Sequence, residues 1–189
     1  PVQPGDFFAL TPGMPHAVGR GVTLLEPQYV AQGKKGMTLR YWDWNRRYDA
    51  NGKLDANGAP RELHVERALQ VTRWREAGDP EFLKSMRCSI GAPVLDGPLQ
   101  VVQLVGPEAG ARVRSPYLRA AALRGTGEAP LPGWNVLRSL TVISGAVTLL
   151  GAFGELSVEA GRTAAIGAGL GAVKCRATRA HALLSSAVA

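Results

Sequence analysis

The sequence predicts a mainly β protein built around a duplicated barrel. Three observations carry that prediction. The first is a repeated frame. Gly5-Asp6-Phe7-Phe8-Ala9-Leu10-Thr11-Pro12-Gly13-Met14-Pro15-His16 reads as Gly, seven residues, Gly, two residues and a key position. Gly161-Arg162-Thr163-Ala164-Ala165-Ile166-Gly167-Ala168-Gly169-Leu170-Gly171-Ala172 reads the same way, with Ala172 where the first copy has His16. Internal repetition of this kind marks a duplicated architecture. The second is composition: 23 Gly and 13 Pro against 6% aromatic residues suit short strands joined by many turns. The third is texture, since from about residue 92 short strand candidates follow one another between Gly and Pro signals.

Residues 5–11 and 22–26 read as strands around the Pro12-Gly13 and Gly19–Gly21 turns, and Thr38–Trp42 as another strand. Residues 45–60, with Asn51-Gly52 and Asn57-Gly58, form a polar surface loop. Arg61–Trp74 is the one clear helix. Leu63, Val65, Ala68, Leu69, Val71 and Trp74 give it an apolar stripe. Pro60 stands before it and Gly78-Asp79-Pro80 ends it, with a short helical turn to follow at Phe82–Met86. Later strands are expected at 99–105, 111–114, 135–143, 145–150, 155–158, 163–166, 171–176 and 181–188, with Gly125–Gly133 as a loop.

The 189 residues allow one large or two small domains, and 46% hydrophobic residues allow a real core. No apolar run of about 18 residues exists, so no membrane span is expected. The first residue is Pro1, close before the first motif, and the chain is expected to be the C-terminal part of something longer. The net charge of +7 suits an anionic substrate such as a phosphate ester, or simply a basic surface. Nucleic acid is not an expected partner, because the Arg residues are scattered and not interleaved with aromatics. Cys88 and Cys175 lack metal spacing and read as small buried thiols of a reducing cytoplasm.

His16 is the best single candidate for chemistry. A turn of Pro, Gly and Met makes its backbone rigid, and a neutral imidazole held so is a ligand for zinc or iron. A packing histidine is the alternative. Glu26, in an otherwise apolar strand, reads as a metal ligand, a proton carrier, a partner of a basic group, or an outward-facing carboxylate. Arg40 offers a guanidinium fork for phosphate or enediolate oxygens. Its alternative is a structural Arg stacked on Trp42 or Trp44 and paired with Asp43. His64 reads as a helix-surface or interdomain residue, with a place facing the site as its alternative, and Lys34-Lys35 as solvated loop charges, with an anion contact as theirs. There is no Walker loop, nucleophile elbow or Rossmann fingerprint. Gly167–Gly171 reads as a barrel turn.

Taken together, Gly5–His16, Leu24-Leu25-Glu26-Pro27-Gln28, Leu39-Arg40-Tyr41-Trp42-Asp43-Trp44-Asn45-Arg46 and Arg61–Leu69 resemble the type I mannose-6-phosphate isomerases, zinc enzymes of the cupin superfamily. The resemblance is strong over residues 5–70. Beyond them it rests on a degenerate second barrel, which the family also carries. It implies cupin-type jelly-roll barrels: the end of a catalytic cupin, one linker helix and a second cupin without metal. The corresponding divisions are 1–58, 59–90 and 91–189. The resemblance also implies one Zn2+ in the intact enzyme, with His16 as its last ligand. Glu26 then falls within the substrate pocket, and Arg40 takes the place of the catalytic Arg. Pro12 is shifted by one position from the family pattern. The Gln-x-His pair, the ligand Glu and the active-site Lys residues would lie upstream of Pro1.

The reaction implied is interconversion of mannose 6-phosphate and fructose 6-phosphate in the cytoplasm. The expected partners are the phosphosugar and the N-terminal half of the same protein. This portion alone is expected to be inactive, since three protein ligands are the usual minimum for zinc. The alternative is a non-catalytic cupin module that binds a sugar phosphate or serves assembly.

Overall fold

A computed structural model describes residues 1–74 and 79–188. In chain order the strands and helices are β1 (Asp6–Phe8), β2 (Arg47–Tyr48), β3 (Ala59–Pro60), α1 (Val65–Val71), α2 (Pro80–Met86), β4 (Arg87–Ser89), β5 (Gln100–Gly106) and β6 (Val113–Arg114). There follow β7 (Leu118–Pro130), β8 (Arg138–Gly151), β9 (Gly154–Glu159), β10 (Thr163–Ile166), a 3-10 turn at Ala168–Leu170, and β11 (Lys174–Ala187). The chain divides into two compact units, Pro1–Ala9 with Asp79–Ala189, and Leu10–Gly78. It is mainly β, as the sequence predicts.

The first unit is built on a seven-stranded sheet in the order β10-β8-β11-β7-β5-β6, with β9 beside β8. Its pairs are antiparallel except β5 with β6. The described pairing leaves the sheet open and does not close it into a barrel. Alternation is clear at the start of β8, where Arg138, Leu140 and Val142 are buried and the residues between them are partly exposed. Leu140, Val142, Leu184, Leu123, Val147 and Ile166 belong to one apolar cluster on one face. On the other face Val105, Ala120, Ala122 and Leu183 form a second cluster, against which Phe7, Cys88 and Ile90 pack. The strand β7 is therefore covered on both sides, and its run Ala120-Ala121-Ala122 supplies the small side chains that this double burial accommodates.

Three neighbouring strands bulge at one level. Gly125 on β7, Gly145 on β8 and Arg179 on β11 have φ of 115°, 69° and 45°. The register shifts between Ala177 and Ala180 and again near Thr178 and His181. A Cβ on Gly145 would stand 2.2 Å from the carbonyl oxygen of Arg179. Such bulges bend a sheet without ending its strands. This bend explains three corrections. The expected strands 135–143 and 145–150 are one strand, β8. The expected 171–176 and 181–188 are one strand, β11. The expected loop at Gly125–Gly133 is mostly the continuation of β7.

Two helices stand where one clear helix and a short turn were expected. The helix α1 is shorter than the Arg61–Trp74 pattern. Gly78 lies outside the described residues. Asp79-Pro80, expected as a stop, opens α2: the Asp79 carboxylate accepts from the Glu81 and Phe82 amides at 3.0 and 3.3 Å, and Pro80 fills the first turn. Residues 22–26 and 38–42 are not strands. Among the described residues no neighbouring strand offers them a ladder, and an extended segment becomes a strand only through its partner.

The repeated frame is kept in the backbone. Gly5 and Gly161 both take positive φ, 90° and 78°. Asp6 and Arg162 each donate back three residues, to Gln3 and Glu159, at 3.0 Å. After the strand, Met14 donates to Thr11 at 3.2 Å and Leu170 to Gly167 at 3.3 Å. These bonds fall at corresponding positions of the two copies. The key positions, His16 and Ala172, are both exposed.

Candidate functional site

All three candidate residues lie in the unit Leu10–Gly78. His16 follows the Thr11–Met14 turn, and its Nδ1 stands 3.0 Å from the carbonyl oxygen of Met14. A carbonyl only accepts, so Nδ1 carries the proton and Nε2 presents its lone pair outward. That is the tautomer a metal or a proton donor would meet. The turn is pinned further by Arg73, whose amide donates to the Gly13 carbonyl at 2.8 Å. Gly13 itself takes φ of 84°, and a Cβ there would stand 2.6 Å from the Val71 carbonyl.

Glu26 is exposed and makes no hydrogen bond or ion pair among the described residues. Arg40 is half-exposed, and its backbone is locked to His64 in both directions. The Arg40 amide donates to His64 Nδ1 at 3.3 Å, and the His64 amide donates to the Arg40 carbonyl at 2.8 Å. His64 Nδ1 is thus an acceptor, and the proton sits on Nε2, 3.7 Å from a Glu62 carboxylate oxygen. The Arg40 guanidinium makes no ion pair among the described residues. The alternative of an Arg40–Asp43 pair is not what the structure has. Asp43 is buried and bonds Arg46, with Arg61 Nε at 3.7 Å.

The surroundings of Arg40 hold groups that sequence reading named only in passing. Trp42 and Trp44 lie with ring centroids 4.4 Å apart, and Arg61 stands 4.6 Å over the ring of Tyr48. Tyr41 bonds the hydroxyl of Thr72, just beyond α1. Trp44 and Asn45 both take positive φ, 57° and 53°, which turns the chain sharply after Asp43. The Trp-Asn pair carried no turn signal strong enough to place that bend, since an aromatic residue rarely adopts it.

No hydrogen bond or ion pair joins His16, Glu26 and Arg40 to one another. Among the described residues no three His, Cys, Asp or Glu side chains gather as a metal site. His16 fits as a single ligand, and the described residues alone do not gather the three ligands that zinc usually needs. Among the described residues no helix is long and apolar enough to cross a membrane.

No family model matches the chain. A stretch of 71 residues is 35% identical to mannose-6-phosphate isomerase of Streptococcus mutans, covering 38% of this chain and 19% of that protein. A stretch of 70 residues is 40% identical to mannose-6-phosphate isomerase ManA of Bacillus subtilis, covering 37% of this chain and 19% of that protein. The matched region thus spans about a fifth of the length of either relative. The crystal structure of the Bacillus subtilis mannose 6-phosphate isomerase has a like fold, with a TM-score of 0.50 at 16% identity over 78% of this chain and 40% of that one. In sequence over some 70 residues, and in fold over most of its length, the chain resembles part of a mannose-6-phosphate isomerase.

Proposed function

We propose that this chain is the C-terminal portion of a zinc-dependent aldose–ketose isomerase that interconverts mannose 6-phosphate and fructose 6-phosphate. The observation that carries the reading is the 35% and 40% identity to two proteins of that name. The exposed apolar residues of the unit Leu10–Gly78 agree with it. Leu24, Leu25, Val30, Trp42 and Trp44 all lie open, as they would if the N-terminal half of the same protein covered them. That half is also where the reading places the remaining zinc ligands.

The reaction moves one proton from C2 to C1 and one from O2 to O1, through a cis-enediol, with no external oxidant. Arg40, whose guanidinium is uncommitted here, stabilises negative charge on the enediolate oxygens or clamps the substrate. Glu26, equally uncommitted, carries a proton or positions the sugar. His16 would offer Nε2 as one ligand to the zinc, which would polarise the sugar oxygens when bound. The net charge of +7 favours a doubly negative phosphosugar by long-range attraction.

The test is isomerase activity on mannose 6-phosphate, measured for this chain and for the full-length gene product, with and without a chelator. The reading expects an inactive chain and chelator-sensitive turnover by the full-length protein. His16→Ala in the latter should lower zinc content. Absence of turnover, with zinc supplied and the protein folded, would favour the second reading, a non-catalytic cupin module. The observation behind that reading is that the described residues bring no three metal-binding side chains together.

A further inference from the structure

One end of the seven-stranded sheet carries a row of polar side chains on the face of its larger apolar cluster. Arg138 on β8 and Arg119 on β7 both stand directly opposite Ser186 on β11. Residues opposite each other across neighbouring strands share a face, so the three side chains lie side by side. Leu140 and Leu184, two residues further along the same strands, are core residues on that face.

Arg138 is 2% exposed and Ser186 7% exposed. The Arg138 Nη1 donates to the Pro132 carbonyl at 2.9 Å, and this is its one hydrogen bond among the described residues. Its Nε is buried without a partner, and so is the Ser186 hydroxyl. Nη1 lies on the Cδ side of the guanidinium, so the bond to Pro132 leaves the Nε–Nη2 edge open. That edge is the fork that takes two oxygens of one oxyanion.

Among the described residues no carboxylate answers this charge. Glu108 is the acid of the same row, and both its oxygens are engaged. Oε1 receives Arg119 Nε at 2.6 Å and Oε2 receives Gln103 Nε2 at 2.7 Å. Burial would raise the Glu108 carboxyl, but these bonds outweigh it and hold the group below its ordinary value, as an anion committed to Arg119. Gly106 makes room for it, since a Cβ there would stand 2.2 Å from Oε2. The row of Arg138, Arg119 and Glu108 is left with one positive charge in excess. A buried guanidinium with no counter-charge is costly, and burial already pulls Arg138 below its ordinary value.

We propose that this end of the second cupin sheet is a binding site for a small oxyanion, a phosphate or carboxylate group, held by the open edge of Arg138 and the hydroxyl of Ser186, with Arg119 alongside. The site lies in the unit Pro1–Ala9 with Asp79–Ala189 and uses none of the residues of the proposed isomerase chemistry. Arg138 supplies two donors and the charge. Ser186 supplies a third donor from the next strand. The Glu108 pair holds Arg119 in place beside them.

The test is titration of the purified chain with inorganic phosphate and, separately, with acetate, at constant ionic strength in chloride. Calorimetry gives the stoichiometry and thermal melting gives the stabilisation. One saturable site and a rise in melting temperature are expected for at least one of the two anions. Phosphate alone would identify a phosphoryl ligand, and acetate alone a carboxylate. Ser186→Ala removes one hydroxyl from a folded sheet and should weaken binding about tenfold. Arg138→Lys keeps the charge, loses the fork and should weaken it further. If neither anion saturates, or if Ser186→Ala binds as tightly as the parent, the proposal fails and the orphaned groups are met by water. Should Arg138→Lys not fold, the parent titration and Ser186→Ala decide the matter alone.

Discussion

His181 shows how one residue can set a pH dependence. It sits half-buried on β11, opposite Arg124 of β7 and Ser144 of β8. Burial first, and the nearby Arg124 charge second, hold its imidazole below the ordinary value of 6.5. The folded form therefore binds the proton less readily than the unfolded chain does. Its contribution to stability is complete above the ordinary value and is lost as pH falls below 6.5 through the folded-state value. Urea unfolding should show stability declining over that window, and His181→Asn should flatten the decline. Arg40 belongs to the same scale. In the full-length protein Arg40→Ala should lower turnover by roughly a hundredfold or more while zinc content stays near normal. Full retained activity would remove it from the mechanism. Arg40 could be singled out as a candidate from sequence because it sits in the stretch Leu39–Arg46. The Arg138–Ser186 row was not, since it joins residues far apart in sequence that only the strand register brings together.

At the level of elements, β5, β6, β8, β9, β10 and β11 overlap expected strands, but the continuity of β8 and β11 was not readable, and no expected strand covers β7. The break expected between 135–143 and 145–150 falls beside Gly145. In the structure the same glycine lets β8 bend where β11 presents the Arg179 carbonyl. Local sequence records the permissive residue but not the facing strand that decides whether the chain stops or bends. The four-residue strand β10, which has no such kink, matches its expected limits at both ends. Gly145→Ala tests the bend. Its Cβ would meet backbone at 2.2 Å in a left-handed conformation, so the variant should lose more than about 1 kcal/mol, where a glycine-to-alanine change at an unstrained position gains up to about that much. Thermal melting of the purified variant would show it. A melting temperature equal to that of the parent would mean that the bend is not constrained there.

For the whole molecule, the contrast between the two units governs stability. Leu184, Leu140 and Val142 are fully buried in the first unit, whereas Asp43 and Ala68 are the buried residues among those described in Leu10–Gly78. Leu184→Ala should cost about 2–5 kcal/mol, seen as a lower midpoint in denaturant. Backbone amides of residues 10–74 should exchange with solvent far faster than those of β7, β8 and β11, because few of them are bonded within elements. Equal protection in the two regions would contradict this reading. Composition and spacing announced the β class. The open sheet was not announced, because edge pairing is a property of neighbours and not of any one segment. The duplicated frame carries a last implication. Both copies share the backbone bonds at corresponding positions, and the His16 imidazole adds a bond to the Met14 carbonyl that Ala172 cannot make. A histidine installed at 172 would therefore gain a ring that the turn Gly167–Leu170 could anchor in the same way only if it offered a carbonyl at that place.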